Sequence, residues 1–121
     1  MDIKSAEKIV IDNCLGGNDS FVYKLNSESV FSKESFWLFY DSIAYLVENG
    51  VKTDEITKCL CIGYQRVLQE FIYHFSPVDV AQIEGFPENY NDYIEKLDFA
   101  ILAYFDGNPT LIENERFDLQ Q

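Results

Sequence analysis

The stretch 95-EKLDFAILAYF-105 decides the fold of this 121-residue chain. From Phe99 to Phe105, consecutive residues carry neither a charge nor an amide. Such a run suits a buried strand as well as a buried helix. As a strand, residues 98–105 would turn at Asp106 and Gly107 and pair with residues 110–112 in a hairpin. As a helix, the run continues a register set upstream. Tyr90, Tyr93, Ile94, Leu97, Ile101 and Tyr104 follow i, i+3, i+4, i+7. The longer register favours a helix from about Glu88 to Asp106 and Gly107.

The rest of the chain also reads as helix. Ala6, Ile9, Val10 and Cys14 keep helical spacing over residues 5–15, with a stop at Gly16 and Gly17. Residues 19–31 are ambiguous. Phe21, Tyr23 and Leu25 alternate as in a strand, but one strand needs a partner, so the segment reads as irregular or a short helix. Ser32 or Ser35 can cap a helix that reaches about Glu48 and stops at Asn49 and Gly50. Phe36, Phe39, Tyr40, Ile43 and Val47 make its apolar stripe. Thr53 caps the longest helix, which runs to about Phe75. Asp54 and Glu55 sit in its first turn, where the helix dipole favours carboxylates.

On that helix Ile56, Leu60, Val67, Phe71 and Phe75 form one apolar edge. Cys61, Tyr64, Leu68 and Ile72 widen it to nearly half the wheel, which predicts the central helix. Residues 76–85 read as a short helix with Ser76 as cap, Pro77 at its first position and Gly85 at its end. After Pro109 the chain is polar and is expected to dock only through Leu111, Ile112 and Phe117. The expectation is an all-α small helical bundle in one domain over residues 1–121. It has three long helices, two or three short ones and a polar tail from about residue 108.

Charge narrows the function. There are 21 acidic residues against 9 basic, a net charge of −12. Direct electrostatic binding of nucleic acid needs Lys and Arg, so this balance excludes it. It also disfavours an anionic membrane surface. A basic protein partner is favoured, at a charge beyond what solubility requires. No apolar run approaches a membrane span, and residues 1–17 carry no secretory pattern. Three cysteines without framework spacing suit a reducing cytosol. The expected location is cytoplasmic.

Chemistry-bearing constellations are sparse. Cys59 and Cys61 lie two apart on a helix and point about 200° apart, so they cannot grip one ion; each reads as a small buried hydrophobe. His74 falls on the line of Ile56 and Val67, and no nucleophile pairs with it in the sequence. It reads as a core or boundary histidine. No phosphate loop, calcium loop or nucleophile elbow is present. Neither an enzyme nor a cofactor or metal is expected.

The candidate binding residues are acidic and apolar together. On a wheel with Glu88 at zero, Asp92 falls at about 40° and Glu95 at about −20°. Asp98 adds a fourth carboxylate. Phe99 and Leu102 sit at about 20° and −40°, in line with this acidic edge rather than with Leu97 and Ile101. Either the second half of that helix is covered on all sides, or Phe99 and Leu102 are apolar anchors beside a carboxylate ladder. On the earlier helix Glu34, Asp41 and Glu48 repeat the pattern, with Trp37, Leu38 and Tyr45 straying toward them.

In its acidity, its many Tyr and Phe, its small size and its lack of a catalytic set, the chain resembles immunity proteins of bacterial toxin–immunity systems. Contact-dependent growth inhibition and the colicins are examples. The run 88-ENYNDYIE-95 is similar in flavour to the Tyr-and-carboxylate recognition helix of nuclease-immunity proteins. The resemblance implies a cognate cationic toxin domain, often a nuclease, blocked at its active site or beside its substrate path. Two alternatives stay open. One is a phage-type inhibitor that mimics nucleic acid. The other is a structural or regulatory helical domain, homodimeric through Phe99, Leu102, Trp37 and Tyr45. A monomer or weak homodimer is expected.

Overall fold

The computed structural model describes residues 1–76, 78, 82–113 and 119. Its helices are α1 (Ile3–Leu15), α2 (Phe21–Ser27), α3 (Lys33–Glu48), α4 (Asp54–Phe75), α5 (Tyr90–Asp106) and α6 (Thr110–Glu113). The described residues contain no strand beyond one isolated bridge. Residues 98–105 are helical, and Gly107 closes α5 in the left-handed conformation, φ +64. The hairpin reading is therefore excluded.

Local chemistry sets the starts. The side chains of Asp2, Ser20, Ser32 and Thr53 accept the N–H groups of Ser5, Tyr23, Ser35 and Ile56, giving α1 to α4 each a side-chain cap. Each satisfies one orphan donor of a first turn. For residues 21–27 this local bond, with Phe21, Val22 and Leu25 buried on one side, overrides the alternation.

Helices α1, α3, α5 and α4 form a ring in that order. α1 packs on α3 and α4, α3 on α5, and α5 on α4, while α2 lies over α4, α1 and α3. α3 and α5 run parallel. Phe36 and Tyr93, near their starts, meet at 4.9 Å between ring centroids, and Lys52, just past α3, donates to the carbonyl of Phe105 near the end of α5. α4 runs the other way: its final residue, Phe75, meets Tyr90 at 5.0 Å, while Thr53 and Thr57 at its start hydrogen-bond the Tyr104 hydroxyl. Phe39 reaches across the ring to Gly63 on α4.

One end of the ring is an aromatic cluster. Phe31 makes edge contacts with Phe21, Phe86 and Tyr93 and a tilted contact with Phe71. Such pairs add to the area they bury. The linker between α4 and α5 is tied to this end. Phe31 donates its N–H to the Glu84 carbonyl at 2.9 Å, and Glu84 donates to the Ser29 carbonyl at 2.7 Å.

The short helix expected over 76–85 is thus not found in Gln82, Ile83, Glu84 and Gly85. Glu84 uses its backbone groups on residues 29–31, and Gly85 turns with φ +73. Residues 77 and 79–81 of that expectation lie outside the described residues, as does Phe117. The tail expectation also changes. Residues 110–113 make one helical turn, and Leu119 is buried in the core.

Candidate functional site

α3 presents one outward line. Glu34, Leu38, Asp41, Tyr45 and Glu48 step by three or four residues and fall within about 80° of one another. Glu34, Leu38 and Glu48 are exposed; Asp41 and Tyr45 are half-buried. Leu38 keeps 46% of its surface open. Trp37 does not join this line. It is buried against Phe36 and Tyr40.

On α5 the candidates separate. Asp92, Glu95, Phe99 and Leu102 share an outer edge about 80° wide. Glu95 is exposed, Leu102 is 40% exposed, and Asp92 and Phe99 are half-buried. Phe99 and Leu102 are therefore not sealed inside. Asp98 turns about 60° from Glu95 toward α4. There burial first, and the Asp98 charge second, push the Tyr64 hydroxyl up to about 12.

Glu88 is not on the helix at all. The chain enters through Pro87, Asn89 holds a non-helical backbone (φ −88, ψ 39), and the helix begins at Tyr90. The wheel position expected for Glu88 fails for that reason, and Asp92 is the carboxylate of the first turn. Asp41 and Phe99 are already engaged within the chain.

The two outer lines flank one seam. Its marker is Lys96 on α5, 4% exposed, with its Nζ 5.1 Å from the Tyr40 ring centre and 5.8 Å from that of Trp37. Cation–π attraction is strongest where water is excluded. This lysine is the cation that the sequence places among the carboxylates. It faces inward, leaving the outer edge without it. Tyr93 and Ala100, about one turn away on either side, and the adjacent Leu97 are all buried and are the signal that could have located it.

Groups with possible chemistry are accounted for locally. His74 Nδ1 accepts the Ile83 N–H at 2.9 Å, and its ring stacks on Phe86 at 4.0 Å. Cys14 and Cys59 are buried, but Cys61 is exposed, against the expectation of burial. Burial, then the neighbouring Cys14 thiol, push the Cys59 thiol up to about 11. A thiol so held is a poor nucleophile. Among the described residues no three His, Cys, Asp or Glu converge to hold a metal. No helix there is long and apolar enough to cross a membrane.

A surface cavity of about 240 Å³ opens between α1, α2 and α4 beside Leu15, Asn26, Arg66 and Glu70. Its polar rim is spent on internal bonds. Asn26 donates to Glu70 at 2.8 Å, and Arg66 Nε donates to the Cys14 carbonyl at 3.0 Å.

Compared with known proteins, the chain matches no family model, no curated protein and no solved structure.

Proposed function

We propose that this chain is a binding module that occupies a basic protein surface, the partner being a cationic toxin domain of the kind an immunity protein neutralises. The observation that carries the reading is the outward line of α3. Glu34 and Glu48 stand at its ends, with the exposed Leu38 and half-buried Tyr45 between them. Carboxylates around an apolar strip steer a cationic partner and then let it exclude water. Glu95 and Leu102 on α5 extend the same chemistry across the seam. The net charge of −12 raises the encounter rate.

Inhibition would follow from covering the partner's nucleic-acid cleft, with no catalytic step by this chain. Work in the cytoplasm as a monomer is part of the proposal. The test is affinity capture from the source cells with this chain as bait. The expected result is one cationic protein, released by salt, whose activity is lost in the complex. Capture of an acidic partner, or of none, rejects the reading. A nucleic-acid mimic with a non-toxin target would show itself by the identity of the captured protein.

A further inference from the structure

The broad apolar face of α4 is only half used by the core. Ile56, Leu60, Val67 and Phe71 are buried. A second line, Cys61, Tyr64, Leu68, Ile72 and Phe75, recurs at three- and four-residue steps and spans about 80° beside the first. Ile72 is 67% exposed and Phe75 56% exposed, with Leu68 half-buried. An isolated exposed aliphatic is ordinary, but a line of them on one helix is a surface kept for something.

This line borders α5. The Phe75 ring lies 5.0 Å from Tyr90 at one end, and Tyr64 lies within electrostatic reach of Asp98 further along. Beyond Tyr90 and Ile94, both half-buried, the facing side of α5 carries Asp98 and then Glu95. The face therefore has an apolar floor on α4 and a carboxylate wall on α5.

Charge selects the occupant. A second copy would bring another net −12 against the same wall. A cationic segment gains from it. We propose that the α4–α5 face is a docking groove for a cationic amphipathic helix of a partner protein. The helix's apolar side would lie on Leu68, Ile72 and Phe75, and its Lys and Arg side toward Asp98 and Glu95. This is the helix-in-groove mode of recognition. The groove shares only Glu95 with the surface that includes the α3 line; Ile72 and Asp98 belong to the groove alone, so variants at these two positions test it apart from that surface.

The probe is a fluorescently labelled amphipathic helical peptide of Leu and Lys, titrated at low salt and read by anisotropy. Two pairs of charge-matched variants separate the groove from bulk charge: Ile72→Asp against Leu15→Asp, and Asp98→Asn against Asp19→Asn, Asp19 being exposed just before α2 and outside both faces. Leu15 is also a well-exposed leucine, at 74%, but lies beside the cavity of α1 and α2. The expected result is binding that weakens about tenfold for Ile72→Asp and several-fold for Asp98→Asn, with the matched partners close to wild type. A scrambled peptide of the same composition binds less tightly. Equal behaviour within each pair overturns the groove, since the peptide would then be reading net charge. Absence of binding overturns it as well. So does a dimer of this chain in light scattering that Ile72→Asp dissolves, because the occupant is then a second copy.

Discussion

The Nδ1 of His74 accepts the backbone N–H of Ile83 at 2.9 Å, across the linker from α4 to α5. Only a ring nitrogen without a proton can accept, so the histidine is the Nε2–H tautomer in this bond. Ile83 is buried and this bond is partly buried, so losing the acceptor leaves its amide poorly solvated. His74→Phe keeps a ring to stack on Phe86 but removes the acceptor. The expected cost is about 1–3 kcal/mol, the desolvation penalty of an unsatisfied buried donor. Urea titration measures it, and faster hydrogen exchange at Ile83 locates it. An unchanged midpoint would mean that the linker is held without this bond.

Gly63 sits where α1 crosses α4. A Cβ there would stand 3.5 Å from Phe39 Cζ and 3.8 Å from the Cys14 backbone nitrogen, ordinary contact distances. Alanine therefore fits, and removing a mid-helix glycine gains about 0.5–1 kcal/mol. Gly63→Leu has no room between the two helices and is expected to destabilise by about 1–3 kcal/mol. Thermal denaturation of both variants checks the sign change between them.

The thiols should separate by reactivity. Cys61 is exposed, while Cys14 and Cys59 are buried and the Cys59 proton is held tightly. Titration with a disulfide reagent at neutral pH is expected to modify one thiol rapidly, lost in Cys61→Ser. The other two should react only on unfolding. Two fast thiols in the native chain would contradict the α1–α4 contact.

Alkaline pH should weaken the fold. Cys59 is raised from 9.0 to about 11 and Tyr64 from 10.0 to about 12, both mainly by burial. Each group holds its proton longer in the folded chain than in the unfolded one. The folded state binds more protons, so stability falls as pH rises. The contribution is intact below pH 9.0 for Cys59 and below pH 10.0 for Tyr64, and is lost on the way to about 11 and 12. Tm is expected to drop across this window, with a shallower slope in Cys59→Ala and in Tyr64→Phe. A flat profile in the parent chain would contradict it.

Much of the fold was legible because its signals are local. The starts at Ser32 and Thr53 and the stops at Gly16 and Gly107 were readable from residues within one turn of each boundary. Residues 19–31 were not, because alternation and a Ser20 cap compete at short range, and burial against α4 decides between them. The bridge of residues 29–31 to Glu84 joins segments far apart in sequence and leaves no local trace. At the candidate site the wheel separated inside from outside on α3 and α5 for Leu97, Ile101, Glu34 and Glu95, while for Leu102 it left a covered and an exposed position both open. It failed for Glu88, where the helix had not begun. It also failed for Phe75, Ile72 and Cys61, because an apolar residue on a helix need not find a neighbour. Lys96 was hidden because residue type suggested the surface while its position faced Trp37 and Tyr40.

The most direct test of the central claim compares two variants of equal net charge in stopped-flow association with the captured cationic protein. One is Glu34→Lys, Glu48→Lys and Glu95→Lys on the outer faces of α3 and α5. The other is Glu7→Lys, Glu28→Lys and Glu55→Lys, on α1, at the end of α2 and on α4. With helicity unchanged in both, the expected association rate is at least about tenfold slower for the first than for the second at low salt, converging as salt is raised. Equal rates would show that the partner senses only total charge, and would contradict an organised acidic face.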